Sequence, residues 1–180
     1  MSAIIFLAPG FEEIEAISVI DILRRADVEI KTVGVSDEYI TGAHGITVKC
    51  DVREKDFKIS DNIKAIILPG GMPGTLNLQQ SKLVNNCIDF ALEKKIYIAA
   101  ICAAPMILGQ LGILKSRKAV CYPGFEDMLF GANVSDQKIC VDGKFITAKG
   151  PGVATEFALK IVEILKGEIK SDIIRKDLLA

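Results

Sequence analysis

The sequence predicts an α/β domain with a mostly parallel sheet covered by helices on both faces. Three observations carry that expectation. Short apolar runs of strand length alternate with helical patterns along the chain. Half of the residues are hydrophobic and a quarter charged, enough for a sizeable core. No repeat, low-complexity tract or linker interrupts them, so residues 1–180 read as one domain.

Ala3–Leu7 reads as the first strand. No basic residue precedes its apolar run, so a strand is expected there and not a signal peptide. Glu12–Ala26 reads as a helix ending near Arg24 and Arg25, where cations suit the dipole. Val28–Val35 is the next strand. Tyr39–Ile40 and Ile46–Lys49 are short extended segments joined by Thr41-Gly42-Ala43-His44-Gly45, the tip of a small hairpin. Ala65–Leu68 is an apolar strand running into Pro69-Gly70-Gly71. Leu83–Leu92 is helical by period, Ile96–Ala100 is a buried strand, and Cys102–Leu111 a helix. Strands follow at Lys118–Cys121, Ile139–Val141 and Phe145–Thr147, the last two flanking the Asp142-Gly143 turn. Gly150-Pro151-Gly152 leads into a helix over Ala154–Leu165.

Charge narrows the function classes. The formal net charge is −1, from 22 basic and 23 acidic residues with no basic run or stripe, which argues against a nucleic-acid or anionic-membrane partner. Ile96–Leu114 carries no charge, but Pro105, Gly109, Gln110 and Gly112 interrupt it, so a buried strand and helix explain it better than a membrane span. The five cysteines, at 50, 87, 102, 121 and 140, contain no C-x-x-C pair and have one histidine to assist them. Reduced thiols in a cytoplasmic setting are expected, with no metal site.

In a parallel sheet, ligands sit in the loops after the strands' carboxyl ends. Here those are Ala8–Phe11, Pro69–Gly74, Ile101–Ala104 and Tyr122–Phe125. Cys102 follows a buried strand among small residues, a pattern like a nucleophile elbow. A helix N-terminus after it would lower a thiol pKa from its usual ~8.5. The competing reading is a cysteine that fills the core. Glu15 shares a helical stripe with Val19, Ile22 and Ala26. A carboxyl on that flank is either protonated, and able to donate a hydrogen bond to a thiolate, or a helix-edge carboxylate. The residues alone leave both readings open. Gly70, Gly71 and the Ala103 amide are candidate oxyanion donors. His44, in a glycine-rich loop, is expected to be exposed. Cys121 is a candidate redox partner for Cys102, with a buried structural thiol as the alternative.

Four runs together carry a family resemblance: Pro9-Gly10-Phe11-Glu12-Glu13-Ile14-Glu15, Leu68-Pro69-Gly70-Gly71, Ala99-Ala100-Ile101-Cys102-Ala103-Ala104-Pro105 and Lys149-Gly150-Pro151-Gly152. In that order and over nearly the whole chain, they resemble the ThiJ/PfpI superfamily, especially its Parkinson disease protein 7-like branch. The resemblance implies a flavodoxin-like sandwich forming a homodimer, with Cys102 as nucleophile, Glu15 as its protonated partner, and oxyanion donors around Gly71 and Ala103. It implies glutathione-independent conversion of small dicarbonyls, such as methylglyoxal to lactate, or related deglycation, with no cofactor. The alternative is a redox-sensing stress protein acting through oxidation of Cys102. Two positions depart from the pattern. Ala103 stands where peptidase-like members carry a histidine, which argues against proteolysis. Tyr122 stands where many close relatives carry another histidine and becomes a candidate substrate contact, as does His44.

Overall fold

The computed structural model describes residues 2–180. β1 (Ser2–Leu7), α1 (Glu13–Arg25) and β2 (Glu29–Gly34) come first. A hairpin of β3 (Tyr39–Thr41) and β4 (Thr47–Lys49) leads to β5 (Val52–Arg53) and β6 (Ile63–Leu68). Next are α2 (Gly74–Gln80), α3 (Lys82–Lys94), β7 (Tyr97–Ile101) and α4 (Pro105–Gln110). β8 (Lys118–Ala119), β9 (Asn133–Val134), β10 (Ile139–Asp142) and β11 (Phe145–Ala148) precede α5 (Ala154–Lys166) and α6 (Glu168–Asp177).

Seven strands form the central sheet in the order β10-β11-β7-β6-β1-β2-β5. All neighbours are parallel except β10 and β11, which pair as the antiparallel hairpin expected at Asp142-Gly143. The strand period of two sorts the core into layers. Ala3, Ile5, Ala65, Ile67, Ala99 and Ile101 face the cluster that includes α1 and α5 residues. Ile4, Phe6, Ile66, Leu68, Ile98 and Ala100 face the cluster that includes residues of α3 and α4. Strands buried on both faces explain why these segments read as continuous apolar runs.

Two elements differ from the sequence expectation. The helix expected from Cys102 starts at Pro105, because Cys102 adopts a left-handed backbone with φ 64. The strand expected over Lys118–Cys121 is reduced to β8, which leaves the main sheet and pairs with β9. β1, β6 and β7 lie side by side, so the loops after their carboxyl ends meet at one edge.

Candidate active site

Cys102 follows β7 directly, and its backbone is tied on both sides. Its N–H donates to the Ala148 carbonyl at 2.9 Å, and its carbonyl accepts from the Tyr122 N–H at 2.8 Å. These bonds hold a non-glycine residue in the left-handed region, at a cost of about 1–2 kcal/mol. The elbow expected from the sequence is therefore present, and it leaves the thiol half-buried.

Glu15 lies on the inner flank of α1 and is fully buried. The Gly70 N–H donates to its Oε2 at 2.7 Å, while Oε1 has no hydrogen-bond partner among the described residues. A Cβ on Gly70 would meet Cys102 Cβ at 2.6 Å and Glu15 Oε2 at 2.8 Å, so strand end, nucleophile and carboxyl converge on one point. Only a residue without a side chain permits that approach. Gly71 is equally constrained: its φ is 88, and an added Cβ would collide with the Glu12 amide nitrogen.

Burial dominates the electrostatics. It pushes the Glu15 carboxyl up to about 7, against the Gly70 amide and the Cys102 thiol, which favour its charge; the Glu12 carboxylate adds to the rise. Burial likewise pushes the Cys102 thiol up to about 12, reinforced by the charge of an ionised Glu15 and opposed by the amides of Ala103 and Gly71. Burial thus works against the lowered thiol pKa expected from a helix N-terminus, and the charge of an ionised Glu15 adds to that opposition. The short α4 starts three residues downstream, and two amides do not offset burial beside a carboxylate. Protonation of Glu15 removes the repulsion and supplies a donor. An ionised Glu15 and a thiolate at Cys102 therefore disfavour each other.

The other candidates separate. The amides of Gly71 and Ala103 lie close enough to the Cys102 sulfur to favour its thiolate, so the two candidate oxyanion donors border the nucleophile. Gly70 does not serve that way, because its N–H is committed to Glu15. Tyr122 is 46% exposed and lines an opening of about 200 Å³ with Pro123, Lys149, Pro151 and Val153. The backbone bonds at Ala148 and Tyr122 place both walls of this opening beside Cys102. Cys121 is buried, and burial pushes its thiol up to about 11.

His44 stands at the start of α1, where its Nδ1 lies 3.0 Å from Glu13 Oε2. Glu13 and the charge of Glu12 hold its pKa above the usual value. Burial works to raise the Glu13 pKa, but hydrogen bonds from His44 and nearby amides hold it low. Glu12, Glu13 and His44 place ligand atoms within 4.8 Å of one another, the group among the described residues with the donor types for a metal ion. The His44–Glu13 hydrogen bond accounts for that proximity without one. Sequence reasoning missed the Gly70–Glu15 bond and the Lys149–Val153 wall. The Gly150-Pro151-Gly152 run was the only signal for the latter.

A match to the DJ-1/PfpI family model covers residues 1–164. The chain belongs to the DJ-1/PfpI family. It is 36% identical over 190 residues to Drosophila melanogaster protein dj-1beta, covering 99% of this chain and 96% of that protein. It is also 36% identical over 179 residues to the Caenorhabditis elegans glutathione-independent glyoxalase DJR-1.2, with 98% and 95% covered. Among solved structures, an oxidized Toxoplasma gondii DJ-1 superposes with a TM-score of 0.91 at 35% identity, covering 99% of this chain and 97% of that one. The DJ-1/PfpI fold agrees with the expected parallel sheet flanked by helices.

Proposed function

We propose that this DJ-1/PfpI protein is a cysteine-dependent, glutathione-independent glyoxalase that converts methylglyoxal to lactate, with related deglycation by the same pair. The observation that carries the reading is the buried Glu15–Cys102 pair, in which a carboxyl raised to about 7 is poised to exchange a proton near neutral pH. The Cys102 thiolate adds to the aldehyde carbon, and protonated Glu15 gives its proton to the aldehyde oxygen, forming a hemithioacetal. The resulting carboxylate removes the proton from that carbon and returns it to the adjacent one, while the hydroxyl proton passes to the former ketone oxygen. This leaves a lactate thioester. Water attacks the thioester carbonyl, lactate departs, and the sulfur regains its proton. The Gly71 and Ala103 amides stabilise the oxyanions, and Tyr122 borders the substrate opening.

Relatives named as a glyoxalase and as DJ-1 proteins support this class. The reading requires no cofactor and no nucleic-acid partner, and it takes the chain as a cytoplasmic homodimer. Five free cysteines accord with a reducing compartment. No helix among the described residues is long and apolar enough to cross a membrane. Lactate formation from methylglyoxal without glutathione tests the activity. Cys102→Ser is expected to abolish turnover. Glu15→Gln is expected to lower it about 10²–10⁴-fold while leaving Cys102 open to alkylation by iodoacetamide. Wild-type turnover no faster than the buffer rate would refute the assignment.

A second reading has its own support. Cys102 is a half-buried thiol on a strained backbone, and the similar Toxoplasma gondii protein is described as oxidized. Selective gain of two oxygens at Cys102 under mild peroxide, without dicarbonyl turnover, would favour a redox sensor.

A further inference from the structure

The opening beside Cys102, about 200 Å³ in volume, has Tyr122 and Pro123 on one side and Lys149 and Pro151 on the other. Tyr122 is 46% exposed, Pro123 is exposed and Pro151 is half-buried, so each has surface to offer a ligand. Lys149 is the one charged residue of the lining. Its ammonium donates to the Asp136 carbonyl at 3.4 Å, outside that lining, so its charge is already engaged.

Two contacts fix the aromatic wall. The Tyr122 N–H donates to the Cys102 carbonyl at 2.8 Å, which ties the backbone under the ring to the nucleophile. One edge of the ring rests on Gly150, where an added Cβ would stand 3.0 Å from Cδ2 and 3.4 Å from Cε2. A bare backbone at position 150 admits the ring there, and a methyl group would push it away. An apolar cavity of roughly 150 Å³ accepts a benzene ring, so the opening has room for one.

We infer that this opening is a specificity pocket for an apolar ring, and that the dicarbonyls the site takes best are aryl ketoaldehydes. The inference rests on the proposed glyoxalase reaction and names its substrate class. The aldehyde carbon meets Cys102, and the aryl group on the ketone carbon lies between Tyr122 and Pro151. Phenylglyoxal and water then give mandelate by the same steps, with no other reactant. Tyr122 is the specificity-determining residue, because its ring covers a face of the substrate's. Methylglyoxal places one methyl group in this space and glyoxal a hydrogen, so both leave the walls wet. A charged group on the ketone side finds no free partner in the lining.

The test is kcat/KM for phenylglyoxal and for methylglyoxal, without glutathione, followed as mandelate and lactate. The readout is the ratio of the two within each protein, which cancels both the intrinsic reactivity of the aldehydes and any loss of folded enzyme. Tyr122→Ala is expected to lower the phenylglyoxal-to-methylglyoxal ratio at least about tenfold, chiefly through KM for phenylglyoxal. Tyr122→Phe keeps the ring and is expected to retain the wild-type ratio. Gly150→Ala, which displaces the ring, is expected to lower it. A ratio unmoved by Tyr122→Ala, or lowered as much by Tyr122→Phe, would overturn the pocket and leave the lactate activity standing. A wild type that turns over neither aldehyde would refute the glyoxalase reaction and the pocket with it.

Discussion

Glu15 is a fully buried carboxyl with one amide donor and a thiol beside it. Its raised pKa has a consequence for stability. Between the unfolded value of 4.5 and the folded value of about 7, the native state holds a proton that the unfolded chain has released. Folding stability from this group is therefore greatest below pH 4.5, falls as the pH climbs toward 7, and levels above it. The span corresponds to roughly 3 kcal/mol. Urea unfolding of wild type and Glu15→Gln across this range checks it: the difference between the two proteins should change in that direction. A pH-independent difference would mean that Glu15 is not protonated at neutral pH. The apolar stripe around Glu15 offered burial as one of two open readings, and the family resemblance chose it. Its partner was not legible, because the Gly70 amide comes from 55 positions away and no local pattern encodes that bond.

At the scale of elements, the site depends on how tightly the loop after β6 lies against the start of α1. The Glu12 N–H donates to the Gly70 carbonyl at 3.0 Å, and Gly71 turns the chain with φ 88 against the Glu12 amide. Gly71→Ala is expected to destabilise the fold by at least about 1–3 kcal/mol, from strain plus displacement of α1. It should also slow alkylation of Cys102, since the Gly71 amide moves away from the sulfur. Gly152→Ala is the control, because an added Cβ there meets nothing within 4 Å and the backbone is not left-handed. Thermal melts and iodoacetamide rates of the two variants decide the matter, and equal behaviour would remove the proposed constraint. The Pro69-Gly70-Gly71 turn and the small residues around Cys102 were readable as strand-end turns. The elbow conformation was anticipated, but not that it would delay the helix to Pro105. The six-residue extent of α4 and the separation of β8 from the main sheet follow from long-range pairing.

For the whole molecule, the two-layer core was legible because strands buried on both faces leave continuous apolar runs, with helical periods between them. What a single chain's pattern does not show is which exposed apolar surface meets a partner. Ile14 and Ile17 stand three apart on the same face of α1, 57% and 41% exposed. Ile46 on the adjoining hairpin is 58% exposed, and its N–H donates to Glu13 Oε1, which docks the hairpin against that helix. An aliphatic patch continuous across α1 and the β3–β4 loop is the surface on which the proposed homodimer would be built. A stable dimer needs about 800 Å² from each partner, so these side chains would form its centre and the hairpin its rim. Sedimentation velocity at micromolar concentration is expected to give twice the 19.5 kDa chain mass. Ile14→Asp with Ile17→Asp is expected to give the single mass while far-ultraviolet circular dichroism stays unchanged, because both side chains already face water in the lone chain. A monomeric wild type would remove the dimer altogether. A variant that remains dimeric would move the interface away from α1, and with it any contribution of the second copy near Glu12, Glu13 and His44.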